Sequence, residues 1–175
     1  ADFIAFVNQS SDSQFAAELG DRFNVDTFLR AMAADVVMGL WDNYWYGANN
    51  YYLYNHPLHG RFEYIPFDVD NSVGVDFFGI NWANRSHANF GNNGFGSSPD
   101  VPPLIRRVLA VPSWEQQFRR YLLELVGQPG EDPLPIEDIS TALGSVGARL
   151  DPLRTMLAPL AYQGTFSASS MDWSF

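Results

Sequence analysis

The sequence predicts an α+β domain that is mostly helical and carries one small antiparallel β-hairpin. Apolar residues recur at helical spacing over about 25–40 and again beyond residue 101. Between these stretches, two aromatic-rich runs at 50–55 and 61–67 flank a His-Pro turn, which is typical of a hairpin. A chain of 175 residues with 46% hydrophobic composition suits one domain around a single core.

The N-terminal third is predicted to be helical. Residues 3–19 form one or two short helices, and Gly20 is expected to stop them. A longer helix follows over about 25–40, with Asn24 or Asp26 as its N-cap. Its apolar stripe consists of Phe28, Leu29, Met32, Val36, Val37 and Leu40.

The C-terminal half is predicted to begin with a long loop and then return to helices. Residues 76–100 are rich in Gly, Asn and Ser, and a loop of this length inside a domain is usually functional or mobile. Prolines start two predicted helices, over about 103–110 and 112–126. The last predicted elements are helices over 136–150 and 152–162 and a polar tail at 163–175.

Charge and composition exclude several classes of function. Twenty acids oppose ten bases, which argues against nucleic acid or an anionic membrane surface as a partner. All ten bases are arginine, so a P-loop and a Schiff-base lysine site are both excluded. Cysteine is absent, which excludes disulfides and thiolate zinc sites. No apolar run is long enough to predict insertion into a membrane.

Polar side chains bracket the predicted hairpin. Asp42 and Asn49 precede its first strand, and Asp68, Asp70 and Asn71 follow its second strand. Because a hairpin brings its two open ends together, these side chains are expected to converge. Carboxylate and amide oxygens are the ligands that Mg2+ takes, and a nucleotide phosphate could complete such a site for phosphoryl transfer.

The same segment carries a resemblance. The matching motifs are W-D-N-Y at 41–44, N-N-Y-Y-L-Y at 49–54 and I-P-F-D-V-D-N at 65–71, followed by Gly74. This ordered series resembles the spore coat protein H (CotH) kinase family, an atypical protein-kinase-like group. The resemblance extends over about 20–155, and Phe67 stands where a Trp is frequent in the family.

The resemblance implies roles for the matching residues. Asp42 would be the catalytic aspartate that accepts the proton of a substrate hydroxyl. Asn49, or alternatively Asn50, would bind the metal, together with Asp68 and, close behind it, Asp70. Asn49 lies seven residues after Asp42, a longer spacing than in the H-R-D-x4-N motif of ordinary kinases, so geometry must decide the assignment.

The resemblance also implies a substrate and cofactors. Mg2+ (or Mn2+ or Ca2+) and ATP would be the cofactors, and Ser or Thr of a secreted, coat or surface protein would accept the phosphoryl group. The protein would then be extracellular or on a cell or spore surface. The nucleotide or substrate would contact Asn50, Asn71, Trp45 and Tyr46.

A kinase fold also needs a lobe with a phosphate-gripping lysine, and this chain has no lysine. No strand-rich, glycine-loop region precedes Asp42 either. The sequence therefore predicts a kinase C-lobe-like domain over 1–162, as a fragment of a longer protein from which the N-terminal lobe is missing.

Structural alternatives remain open for the candidate site. Asp42 could simply end the preceding helix, and residues 68–71 could be a turn closed by Asx hydrogen bonds. Residues 68–76 also place oxygen ligands at positions 1, 3, 5 and 9 of a calcium loop, but its Gly falls at position 7 and no Glu stands at position 12. The alternative function is a non-catalytic extracellular binding or adhesion module with a structural metal ion.

Other conspicuous residues have plain structural interpretations. The tyrosines of 51–54 are predicted to pack in the sheet rather than stack on substrate, and His56 and His59 to form a surface pair. The arginine pairs at 106–107 and 119–120 are expected on solvated helix faces, with contact to substrate or phosphate as the minor alternative.

Overall fold

A computed structural model describes residues 2–82, 85–92 and 101–126. In this part of the chain the helices are α1 (Asp2–Gln9), α2 (Asp12–Arg22), α3 (Val25–Met38), α4 (Pro103–Leu109) and α5 (Pro112–Val126), and the strands are β1 (Tyr51–Asn55) and β2 (Phe62–Pro66). The predicted α+β class with one antiparallel hairpin is confirmed. The predicted helices at 136–150 and 152–162 and the tail at 163–175 lie outside the described residues.

The N-terminal helices follow their capping signals, with one exception. Asn24 caps α3, since its side chain accepts a hydrogen bond from the Thr27 amide. The predicted stop at Gly20 is wrong, because α2 continues through it to Arg22. One glycine costs a helix only about 1 kcal/mol. The final turn is supported by an ion pair between Arg22 and Glu18 at 2.8 Å.

The core forms where α3 packs along α5. Apolar residues of both helices are fully buried: Phe28, Leu29, Met32, Phe118 and Leu122. Helix α4 packs on α5, α1 and α2 pack on α4 and on each other, and the hairpin lies against α3 through β2. The helix pair therefore provides a rigid base for the loop that follows α3.

The hairpin is half buried. Leu53 is paired with Tyr64, and Tyr51 stacks on Tyr64 with ring centroids 5.6 Å apart. Tyr51 thus packs in the sheet as predicted. Tyr52 and Tyr54 point to the opposite face, where 57% and 48% of their surface is exposed. At the turn, His56 and His59 stack on each other at 4.1 Å.

One arginine departs from the prediction of a solvated helix face. Arg107 is buried, and its guanidinium donates to the carbonyls of Val7 and Ser10 and to the carboxylate of Asp12, at 2.7, 2.8 and 3.1 Å. It therefore ties α4 to the turn between α1 and α2. Its neighbour Arg106 is exposed, as predicted.

Among the described residues, no helix combines the length and hydrophobicity needed to cross a bilayer.

Candidate functional site

The end of α3 sets the position of Asp42. Gly39 adopts a left-handed conformation with φ of 67°, which ends the helix, and the Leu40 amide bonds back to the Asp35 carbonyl at 2.8 Å. Trp41 then enters the core, where it stacks on Trp82 and donates from its indole nitrogen to the Val75 carbonyl at 2.9 Å. Asp42 follows as the first polar side chain after the helix.

A buried pair of polar side chains shapes the loop that carries Asp42. Asn43 donates from Nδ2 to Oδ2 of Asp35 at 2.8 Å. Its Oδ1 accepts from the backbone amides of Trp45 and Tyr46, at 3.0 and 3.1 Å. Asp35 and Asn43 are 3% and 2% exposed, so this network is shielded from water. It fixes the loop against α3.

The same burial changes the acidity of Asp35. Burial raises the pKa of the Asp35 carboxyl to about 7, although the hydrogen bond from Asn43 favours the charged form. The carboxyl therefore titrates near neutral pH beneath the loop.

Three amides converge on the Asp42 carboxylate. Asn49 donates to Oδ1 at 2.8 Å, and Asn50 and Asn71 each donate to Oδ2 at 3.0 Å. Asn50 also donates to the Asp42 carbonyl at 2.9 Å. Asn71 lies after β2 and the other residues lie before β1, so the hairpin brings Asn71 to Asp42. The predicted approach of Asp68 and Asp70 stays a prediction.

Gly47 makes room for this cluster. A Cβ atom at this position would lie 2.3 Å from Oδ1 of Asn49 and 2.9 Å from Oδ1 of Asp42. Both distances are shorter than van der Waals contact, so only glycine fits without displacing the amide or the carboxylate. The sequence reasoning missed this requirement.

The segments that flank the hairpin have unusual backbone conformations. The Phe67 amide pairs with the Asn50 carbonyl at 3.0 Å, and φ is positive at Asn50, Asp68 and Val73, at 54°, 53° and 55°. Asn and Asp tolerate this region, whereas a β-branched residue such as Val73 is strained in it. The Val73 amide is held by the Met38 carbonyl at 2.7 Å, which fastens this segment to the end of α3.

Asp68 and Asp70 occupy the same returning segment. A turn follows them, in which the Ser72 amide pairs with the Asp70 carbonyl at 2.9 Å and the Ser72 hydroxyl pairs with the Val69 carbonyl at 3.0 Å. Within the described residues, no three His, Cys, Asp or Glu side chains form a group able to hold a metal ion. The predicted roles of Asp68, Asp70 and Asn49 in metal binding therefore stay predictions.

Trp45 and Tyr46 are held in the core. Trp45 packs against Phe90 and Phe118 at 6.2 Å, and Tyr46 meets Trp82 edge to face at 4.8 Å. Both residues are less than 10% exposed. Their predicted contact with nucleotide or substrate stays a prediction, and the packing explains why the loop needs aromatic residues here.

The donor set at the site fits a hard cation. Oδ1 of Asn71 is buried and has no hydrogen-bond partner among the described residues, while Nδ2 of the same amide donates to Asp42. An orphaned buried oxygen is costly unless something binds it. An amide oxygen beside the Asp42 carboxylate is a hard ligand, which suits Mg2+, Mn2+ or Ca2+ better than zinc.

Comparison with known proteins decides the family. The sequence model of the family described as CotH kinase protein matches residues 1–129. This chain belongs to that CotH family. The match begins nearer the N-terminus than the resemblance in the sequence indicated, and it contains α1 to α5 as well as the complete hairpin.

Two curated CotH relatives are similar over part of this chain. Inner spore coat protein H of Bacillus subtilis is 35% identical over 78 residues, which are 45% of this chain and 21% of that protein. Spore coat protein homolog 1 of Rhizopus delemar is 31% identical over 108 residues, which are 59% of this chain and 17% of that protein. The matched regions thus span about a fifth of the length of these relatives.

Proposed function

We propose that this CotH-family chain provides the catalytic, C-lobe-like part of a protein kinase that transfers the γ-phosphoryl group of Mg-ATP to Ser or Thr. The observation that carries the proposal is the Asp42 carboxylate, held by three amides where both ends of the hairpin meet. Membership of a family described as CotH kinase protein supports the same chemistry.

Asp42 would orient the acceptor hydroxyl and take up its proton. An ionised carboxylate offers about four lone-pair sites, and three described amides use three of them. The amides also fix the rotamer, so the remaining acceptor site would have a defined direction. A carboxylate placed within hydrogen-bond reach of the hydroxyl is what this step needs.

The divalent cation would be held on the Asn71 side of Asp42. The orphaned Oδ1 of Asn71, the side chain of Asn49 and the carboxylates of Asp68 and Asp70 would supply its protein ligands. Such a cation neutralises charge on the transferring phosphoryl group. Asn50 would keep Asp42 in place through its two hydrogen bonds, from Nδ2 to the carboxylate and to the backbone carbonyl.

The positively charged side chain that binds the ATP phosphates must differ from the one in ordinary kinases. Ordinary kinases use a lysine, and none of the 175 residues here is a lysine. We assign this role to an arginine or to a separate N-terminal lobe.

The names of the relatives suggest where the reaction takes place. Both are spore coat proteins by name, so we propose a coat or surface protein as the acceptor and a spore coat or cell surface as the location.

Phosphate incorporation tests the proposal. The chain, alone and within any longer protein that contains it, would be incubated with Mg2+, γ-labelled ATP and a Ser/Thr-rich acceptor such as casein. Asp42→Asn should abolish labelling. Asp21→Asn, which changes an exposed acid on α2, should leave it intact. Equal labelling by both variants would remove Asp42 from the mechanism.

A non-catalytic module with a structural cation is the second candidate. The absence of lysine from the chain favours it, because ordinary kinases grip the phosphates with a lysine. This candidate predicts that Mg2+ or Ca2+ raises thermal stability in a manner that depends on Asn71, while no label is transferred under any condition.

A further inference from the structure

The outer edge of β1 carries unpaired backbone groups. The Phe67 amide bonds to the Asn50 carbonyl, and the His56 amide bonds to the Arg61 carbonyl. Because bonded pairs alternate along an antiparallel ladder, the even residues of β1 face β2. The N–H and C=O groups of Tyr51, Leu53 and Asn55 therefore point away from the hairpin. Within the part of the chain that the structure describes, none of these groups has a hydrogen-bond partner.

By contrast, the outer edge of β2 is partly covered by another segment of the chain. The Phe62 carbonyl accepts from the Asn24 amide at 2.9 Å, and Phe23 forms a parallel bridge with Phe62. The short connection between α2 and α3 thus covers that side. An extended backbone matches the alternating donors and acceptors of the β1 edge, so a protein occupant should be another strand.

Among the described residues, nothing protects the β1 edge against strand pairing. Natural edges carry charges, proline or a bulge. Residues 43–60 contain no Asp, Glu, Lys or Arg, and β1 itself contains no proline. In a chain with net charge -10, this uncharged stretch is a place where two copies can meet without repulsion between like charges.

We propose that β1 pairs antiparallel with β1 of a second copy, around a two-fold axis at Leu53. In this register Tyr51 lies opposite Asn55 of the partner subunit, and Leu53 lies opposite the partner's Leu53. All three outward-facing residues then become bonded pairs, and the two hairpins form one four-stranded sheet. Such a contact is isologous, and therefore closed.

The side chains suit this register on both faces. On the exposed face, Tyr52 meets the partner's Tyr54 twice across the axis, which covers rings that are 57% and 48% exposed. On the inner face, an apolar cavity of about 420 Å3, lined by Phe3, Tyr51, Leu53 and Tyr64 among others, leaves room for the partner's Leu53. This self-complementarity favours a second copy over an unrelated strand.

Sedimentation with paired charge variants tests the register. The wild-type chain should sediment at twice 19.6 kDa at high concentration. Tyr52→Glu/Tyr54→Glu and Tyr52→Lys/Tyr54→Lys should each be monomeric, because like charges would face each other across the axis. Their equimolar mixture should dimerise, because every Glu then faces a Lys. Ile65→Glu, on the same face but on β2, is the control and should remain dimeric.

Cross-linking tests the same contact when association is weak. The chain has no cysteine, so single replacements report one position each. Leu53→Cys places two thiols on a bonded pair with Cα atoms about 5.5 Å apart, a separation that suits a disulfide. It should give an oxidised dimer much faster than Leu58→Cys at the exposed turn.

A wild type that stays monomeric at all concentrations, or equal cross-linking at the two positions, overturns the proposal. If the wild type associates but the equimolar mixture of the Glu and Lys variants stays monomeric, the proposed register is wrong. Circular dichroism confirms that each variant is folded, and neither assay depends on phosphoryl transfer.

Discussion

Replacing Asp35 by Asn should change the pH dependence of stability more than any other single substitution of an acid in the described chain. Burial raises the pKa of this carboxyl from 3.8 to about 7 in the folded protein. Between these values the folded state keeps a proton that the unfolded state has lost. The folded state binds more protons there, so stability falls as pH rises through this window.

The size of the effect follows from the two pKa values. Each unit between them corresponds to about 1.4 kcal/mol. The stability that Asp35 contributes at pH 4 should therefore be reduced by roughly 4 kcal/mol above pH 7. An Asn at position 35 does not titrate, and its side-chain oxygen can still accept from Asn43. The variant should match the wild type near pH 4 and be the more stable protein above pH 7.

Urea denaturation at pH 4, 5.5 and 7.5 measures this difference. Glu18→Gln is the control of opposite sign, because the hydrogen bond from Arg22 lowers the pKa of that exposed carboxyl. As pH rises, the free energy of unfolding of the wild type should increase slightly relative to that of Glu18→Gln. A stability difference between Asp35→Asn and wild type that is the same at every pH would refute the account of a buried, proton-retaining carboxyl.

Four further predictions concern the site and its support. Gly47→Ala should lower phosphate transfer and destabilise the fold by about 1–3 kcal/mol, because the new methyl group collides with the Asp42 cluster. Gly20→Ala, which meets nothing within 4 Å, should raise stability by up to about 1 kcal/mol in the same denaturation assay. Arg107→Ala should cost about 3 kcal/mol in that assay, because the Val7 carbonyl of α1 and the Ser10 carbonyl in the following turn lose their donor. A loss below about 0.5 kcal/mol would contradict this role. Asn71→Ala should weaken Mg2+ affinity measured by calorimetry, and unchanged affinity would exclude Asn71 as a ligand.

Local rules predicted most of the fold. The Asn24 cap, the prolines before α4 and α5 and the two aromatic runs are signals confined to a few residues, and each led to the correct element. Gly20 misled because packing and an ion pair outweighed its low helix propensity. The convergence of Asp42 with Asn71 was also predictable, since it needs only that a hairpin closes.

Other features depend on contacts between residues far apart in the sequence. Arg107 reaches carbonyls almost a hundred residues away, and no local pattern could identify them. Arg107 lies three residues after Leu104. This helical spacing was a usable hint that Arg107 is buried, because it places both residues on the same face of α4. Asp35 gave a similar hint, as an acid within the apolar stripe of α3. No such hint exists for Gly47, because glycine is required there only by the neighbouring Asn49 amide and Asp42 carboxylate.

The most direct test of the account is a crystal structure of the protein with Mn2+ and a non-hydrolysable ATP analogue. The anomalous signal of Mn2+ should lie against the side-chain oxygens of Asn71 and Asp68, with the γ-phosphate facing Asp42. A nucleotide and metal ordered elsewhere on the protein, with the Asp42 carboxylate still closed by its three amides, would contradict the proposed phosphoryl-transfer site.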